Sequence, residues 1–222
     1  MKHYGLFGGT FNPIHRGHLH AADAAGKKFP LDRIYLIPSA IPPHKRVNNL
    51  AAAGDRLEML RLATTLTDSV RVSDVELSRS GPSYTIDTVR YYQARSQNDT
   101  QLYLIMGLDA FLEIDTWKSY HDLMAKIPFI ILSRPGGHDR NKTPDIDVID
   151  NYLTRTLSEP YEFSPLKSCF YHTTHPPVYL IDIHPLDISS TEIRSRIRQG
   201  RSIRTLVPEP VNHYIKTKGL YL

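Results

Sequence analysis

Short apolar runs alternate along this chain with segments whose apolar residues recur at helical spacing. Tyr4-Gly5-Leu6-Phe7 reads as a buried strand and Arg33-Ile34-Tyr35-Leu36-Ile37-Pro38 as a second. Gln101 to Gly107 and Phe129 to Leu132 are almost continuously apolar, as expected of parallel strands covered on both faces. Val178 to Ile183 reads as the last strand, and Val70 to Leu77 alternates with period two, predicting a strand covered on one face. Between these lie predicted helices: Leu19 to Ala25, Asp55 to Thr65 with Leu57, Leu60 and Ala63 at helical spacing, and Tyr84 to Arg95. Two more, Ser190 to Gln199 and Pro208 to Lys216, close the chain. This alternation predicts an α/β fold: a Rossmann-like open, mostly parallel sheet with helices on both faces, plus C-terminal helices. Pro135 to Pro177 lacks strong periodicity and reads as an insertion with some helix near Ile146 to Thr156, inside one domain spanning residues 1–222.

Composition narrows the class. With 222 residues, 41% apolar and 23% charged, the chain can bury a sizeable core. No apolar run approaches the ~20 residues that span a bilayer, so no membrane association is expected. One Lys precedes the first strand, and no signal peptide is read there. Cys169, the single cysteine, excludes an intrachain disulfide framework and fits a reducing cytoplasm. A net charge of +4 and a pI near 9.1 suit phosphorylated substrates. The basic residues are scattered and not interleaved with aromatics, which argues against nucleic acid as a partner. The sequence leaves a homo-oligomer open.

The chemistry concentrates in Gly8-Gly9-Thr10-Phe11-Asn12-Pro13-Ile14-His15-Arg16-Gly17-His18, between the first strand and the first helix. A Gly-rich turn entering a helix offers backbone N–H donors and the positive helix end to a phosphate. It is neither a P-loop nor a Gly-x-Gly-x-x-Gly turn. His15 and His18, three apart, fall on one helix face roughly 5–6 Å from each other, as donors able to carry charge near neutral pH. Gly17 lets a base or phosphate approach the backbone, and Pro13 sets the entry angle. A zinc pair would need a third ligand, none is obvious nearby, and no protein-bound metal is expected. Ser189-Ser190-Thr191-Glu192-Ile193-Arg194 begins a helix with a capping-box pattern, Ser189 to Glu192. Ser190 or Thr191 shares a helix face with Arg194, which would present hydroxyls, N–H groups and a guanidinium to a phosphate chain. Arg196, Arg198, Arg201 and Arg204 read as a solvated face, and His172 and His175 as solvated loop histidines in preference to metal ligands.

Together, His15-Arg16-Gly17-His18 and Ser189 to Arg194 resemble the two signatures of the nucleotidyltransferase α/β-phosphodiesterase superfamily. Pro42-Pro43-His44-Lys45, Ser83-Tyr84-Thr85 and Asp109 with Trp117 eight residues on narrow the resemblance to the bacterial nicotinate-nucleotide adenylyltransferases, which covers nearly the full length, Met106-Gly107-Leu108-Asp109 and Arg134-Pro135-Gly136 included. The stretch 137–174 matches that family poorly. The resemblance implies adenylyl transfer from ATP to nicotinate mononucleotide, giving deamido-NAD and pyrophosphate, with Mg²⁺ carried by ATP. It implies an ATP site of Gly8, Gly9, Thr10, Phe11, His15, His18, Ser189, Thr191 and Arg194, with His18, His15 and Lys45 nearest the chemistry. It further implies His44, Tyr84, Thr85, Asp109 and Trp117 around the mononucleotide, Trp117 stacking on the pyridine ring. Two alternatives stand beside it: a related enzyme preferring nicotinamide mononucleotide, and a non-catalytic nucleotide sensor of the same fold.

Overall fold

β1 (Lys2–Gly9) is the strand from which the sheet grows in both directions. In a computed structural model, which describes residues 1–41, 50–65, 67–97, 99–133, 145–183 and 186–222, it pairs in parallel with β2 (Arg33–Pro38) and β4 (Thr100–Gly107). Phe7 thus lies between Leu36 and Ile105. Adding β3 (Val70–Val72), β5 (Phe129–Ser133), β6 (Glu162–Ser164), β7 (Cys169–Tyr171) and β8 (Val178–Asp182), the order is β3-β2-β1-β4-β5-β8-β7-β6. Pairing is parallel from β3 to β8 and antiparallel from β8 through β7 to β6. The strand order reverses direction between β1 and β4, and ligands of open α/β sheets bind at such a switch point, beyond the carboxyl ends of the strands.

The apolar runs are continuous because each strand feeds two cores. Phe7, Ile105, Ile130 and Ile181 point to one face, and Leu6, Leu104, Ile131 and Val178 to the other. On the first face pack α1 (Arg16–Lys28), α2 (Ala53–Thr64), α7 (Ser190–Arg198) and α8 (Glu209–Lys218). On the second pack α3 (Thr85–Arg95), the short α4 (Leu108–Phe111), α5 (Tyr120–Lys126) and α6 (Asp145–Asn151). Among the described residues no helix is long and apolar enough to cross a membrane.

The structure departs from the pattern in three places. The expected strand Val70 to Leu77 ends at Val72. Beyond it Glu76 is buried, its carboxylate accepting the Thr88 hydroxyl of α3 at 2.6 Å, which pulls the chain off the sheet edge. The buried stripe of α2 runs through Arg56, Met59, Leu60 and Thr64, and is not centred on Leu57, Leu60 and Ala63. The atypical segment contains two strands that periodicity did not reveal, because β6 and β7 are only three residues each. The helix expected near Ile146 to Thr156 is present as α6 and a wider π-helical turn over Tyr152–Thr156.

Ile130 lies near the middle of β5, is 0% exposed and belongs to the first core. Ile130→Ala should cost roughly 2–5 kcal/mol in urea denaturation. Leu166→Ser, at a residue 94% exposed, should stay within about 0.5 kcal/mol.

Candidate active site

The N-cap of α1 is His15, and its cap is unusual in chemistry. The backbone N–H of His18 donates to His15 Nδ1, and the N–H of His15 donates to His18 Nδ1, each at 3.3 Å. This is a capping box built from two imidazoles in place of Ser and Glu. The rings stack with centroids 3.6 Å apart, and Phe11 meets His18 edge-on at 5.0 Å. Because both Nδ1 atoms accept, each neutral ring carries its proton on Nε2. Two Nε2–H donors are thereby fixed at the start of α1, where the Arg16 N–H is already bonded to the Leu206 carbonyl at 2.9 Å and the His18 N–H to His15.

Burial lowers the His15 pKa to about 4. Burial, and then the neighbouring His15, hold His18 well below the ordinary 6.5. The expectation that these rings carry charge near neutral pH is therefore corrected: they are neutral donors. Gly17 is also reassigned. A Cβ there would lie 3.0 Å from His15 Nδ1 and 3.5 Å from the Ile188 carbonyl, so the glycine makes room for the stacked ring. Gly9 does the same for the Phe11 ring, 2.9 Å from where its Cβ would be. Gly8, and Gly107 at the end of β4, face open space at the switch point.

The turn is held by residues from three distant segments. Arg56 is 0% exposed and has its guanidinium on three backbone carbonyls: Thr10 at 2.8 Å, Ala51 at 3.0 Å and Ala40 at 3.3 Å. Arg194 Nη1 donates to the Asn12 carbonyl at 2.8 Å, and Ser190 Oγ donates to the Pro13 carbonyl at 2.9 Å. Buried Asn12 accepts the Ala51 N–H at 3.0 Å and the Tyr221 hydroxyl at 2.8 Å on its Oδ1. Phe11, in the middle, is held at φ 47°, the left-handed region that side chains seldom occupy.

The two predicted signatures thus meet in space. Ser189 caps α7 by accepting the Glu192 N–H at 3.1 Å. The expected box is only half formed, since the Glu192 carboxylate turns to Arg196 at 2.7 Å. Thr191 Oγ1 accepts from Arg194 Nη2 at 3.2 Å, which leaves three of the five guanidinium N–H donors outside these two bonds. Sequence reasoning missed Arg56, Asn12 and Tyr221 as supports of the turn. Arg56 alone carried a signal, since it shares the helical spacing of Met59, Leu60 and Ala63.

The other predicted residues lie on the β4 and α3 side. Tyr84 is the N-cap of α3 and Thr85 its first residue. Ser83 ties this start to the loop after β2: its Oγ accepts the Ala40 N–H at 2.8 Å, and its N–H reaches the Ile41 carbonyl at 3.0 Å. Lys118 Nζ sits 4.4 Å from the centre of the Tyr84 ring and 3.0 Å from Asp87, which brings the Trp117-Lys118 turn against Tyr84. Trp117 is half-buried and packs on the second core. Asp109 is exposed just past the end of β4. His44 and Lys45, with the rest of Pro42-Pro43-His44-Lys45, and Arg134-Pro135-Gly136, lie outside the described residues.

Residues 6–196 match the cytidylyltransferase-like family, which makes the chain a nucleotidyltransferase by class. A probable nicotinate-nucleotide adenylyltransferase of Desulfatibacillum aliphaticivorans is 42% identical over 220 residues, 98% of this chain and 99% of the relative. One from Desulfitobacterium hafniense (strain DSM 10664 / DCB-2) is 38% identical over 221 residues, 99% of this chain and 96% of the relative. The fold is shared with Plasmodium falciparum nicotinic acid mononucleotide adenylyltransferase, solved in complex with NaAD and with APC. The TM-scores are 0.73 and 0.71 at 20% identity, covering 100% of this chain and 98% of each neighbour. The chain belongs to the nicotinate-nucleotide adenylyltransferases.

A histidine whose pKa falls on folding binds its proton more weakly in the native state. Its stabilising share is intact above the unfolded value of 6.5 and is lost as pH drops toward the folded value, about 4 for His15. We expect His15 to remove about 3 kcal/mol of stability by pH 4, with a further loss from His18. His15→Asn keeps a capping acceptor but does not titrate. Its urea midpoint should fall less than that of the wild type between pH 6.5 and 4, and parallel curves would refute the assignment.

Proposed function

We propose that this chain transfers the adenylyl group of ATP to nicotinate mononucleotide, giving deamido-NAD and pyrophosphate. The reciprocal histidine cap at the switch point carries this reading, together with the relatives' names. An in-line attack of the mononucleotide phosphate on the α-phosphorus asks little covalent chemistry of the protein. It asks for positioning and for donors aimed where charge grows on the phosphoryl oxygens. His18 Nε2–H is the donor assigned to the α-phosphate, and His15 Nε2–H to the adjoining phosphate oxygens. Both are pre-oriented by their Nδ1 bonds, so little reorganisation is needed as the charge develops.

Ser189, Thr191 and the remaining Arg194 donors take the β- and γ-phosphates. Gly8, Gly9, Thr10 and Phe11 form the backbone wall for the nucleotide, and Lys45 supplies a second cation. Mg²⁺ enters as part of the ATP substrate, keeping most of its water. The mononucleotide lies toward β4 and α3, with Trp117 against the pyridine ring and His44 and Asp109 on the ribose phosphate. Thr85 and the N–H groups that open α3 meet the nicotinate carboxylate, and Tyr84 closes that end. An acidic ring substituent suits a helix start better than a neutral amide does, which favours the acid over nicotinamide mononucleotide.

With ATP and Mg²⁺, the purified protein should release pyrophosphate far faster with nicotinate mononucleotide than with the amide. Equal rates would overturn the substrate assignment, and no release with either would favour a nucleotide sensor. His18→Ala should lower kcat by roughly 10²–10³ with little change in KM for ATP. A change confined to KM would move His18 to ground-state binding.

A further inference from the structure

We propose that Glu159, His172 and His175 form a structural site for a divalent transition metal of the zinc class. The three side chains come from the atypical segment: Glu159 before β6, His172 directly after β7, and His175 just ahead of β8. One donor atom from each lies within 4.8 Å of the other two. Glu159 Oε2 is 3.8 Å from His172 Nε2 and 3.4 Å from His175 Nδ1. Zinc–ligand distances of about 2.0–2.2 Å set tetrahedral donor–donor edges of roughly 3.3–3.6 Å, close to both.

The burial is what a solvated loop would not show. The His172 side chain is 7% exposed, that of Glu159 16% and that of His175 23%. His172 Nε2 and His175 Nδ1 are both shielded from solvent and make no hydrogen bond. Buried nitrogens without partners are uncommon in folded proteins, and here two of them face one carboxylate. The imidazoles stack at 4.4 Å, and Tyr161 walls the cluster with its ring 4.9 Å from His172 and its hydroxyl donating to the Pro176 carbonyl at 3.1 Å. His121 Nδ1, from α5, lies 3.9 Å from the second carboxylate oxygen, beyond hydrogen-bond distance.

Two nitrogens and one carboxylate oxygen suit zinc, cobalt or nickel better than the all-oxygen preference of calcium or magnesium. Water completes the shell. The segment 172–177 leads into β8 at the edge where the parallel strands begin, whereas the phosphate turn lies where β1 ends. The site is therefore a staple for the β6-β7 hairpin and not part of the adenylyl chemistry.

Metal-free, His172 Nδ1 accepts the N–H groups of Thr174 at 3.1 Å and His175 at 3.0 Å, which puts the ring proton on Nε2. Loading moves that proton to Nδ1, where Thr174 Oγ1 at 3.2 Å accepts it. The two N–H groups then lose the Nδ1 acceptor, that of Thr174 at an exposed position and that of His175 at a part-buried one. Their amide resonances report the exchange.

The test titrates Zn²⁺ into the chelator-stripped full chain, with Co²⁺ absorption reporting coordination geometry. The wild type should bind one equivalent in this cluster, shift the Thr174 and His175 amides, and gain roughly 5–11 °C in Tm at a hundredfold excess of free Zn²⁺ over Kd. Glu159→Gln and His172→Gln should weaken binding by more than the ~10–100-fold cost of an outer-shell change. Circular dichroism checks folding, and His175→Gln takes the place of either variant that unfolds. Equal Zn²⁺ binding by wild type and variants, or no Tm rise in the wild type, would overturn the proposal and leave the cluster a carboxylate–imidazole contact of the fold.

Discussion

Two guanidinium groups hold the turn that follows β1, and the geometry of the site depends on them. Arg56 bonds the part-buried carbonyls of Thr10, Ala51 and Ala40, and Arg194 bonds that of Asn12. Buried carbonyls left unpaired cost roughly 1–3 kcal/mol each. The turn between them contains a phenylalanine in the left-handed region, a conformation worth about 1–3 kcal/mol of strain. Without the clamp the chain would relax that residue and the two histidines would lose their orientation. Arg56 carries no carboxylate partner among the described residues; its role is to bond backbone, for which a planar fork with five donors is well shaped.

The same clamp explains how the ends of the chain cooperate. Ser190, Arg194 and Tyr221 all bond to residues 12 and 13, so α7 and the C-terminus close over the helix start of α1. On the proposed reading, one triphosphate then spans two helix N-termini that are almost 180 residues apart in sequence. The histidines act there as neutral donors. A charged pair at this depth would repel each other and suffer desolvation. Two neutral rings, each fixed by the other's backbone, keep their Nε2–H groups directed without that cost.

The atypical segment is built on a different principle. It extends the sheet by a short antiparallel hairpin whose apolar contribution is small, chiefly Cys169 and Phe170. Strands of three residues bury too little to be stable unaided. A polar cluster of one carboxylate and two imidazoles sits where further apolar packing would be expected, at the entry to β8.

The parallel strands were legible in the sequence because burial on both faces leaves each an unbroken apolar run. The expected Arg33–Pro38 strand matches the structure residue for residue. The two signature motifs were legible because Gly, Pro and His at close spacing have few structural uses together. The clamp was legible only as the helical spacing that Arg56 shares with Met59, Leu60 and Ala63; its burial, and so its role, exists only once Thr10, Ala40 and Ala51 surround it. The charge state of the histidines was not legible either, since desolvation depends on Phe11 and the neighbouring ring. Nor was the Glu159 cluster, where two histidines read as solvated become partly enclosed beside Tyr161, with His172 Nε2 and His175 Nδ1 shielded from solvent. Local pattern determined which segments became strands and helices and where a phosphate could dock. The protonation, orientation and partners of the polar groups were decided by tertiary contact, because those properties follow from distance and water exclusion, and neither is a property of sequence spacing.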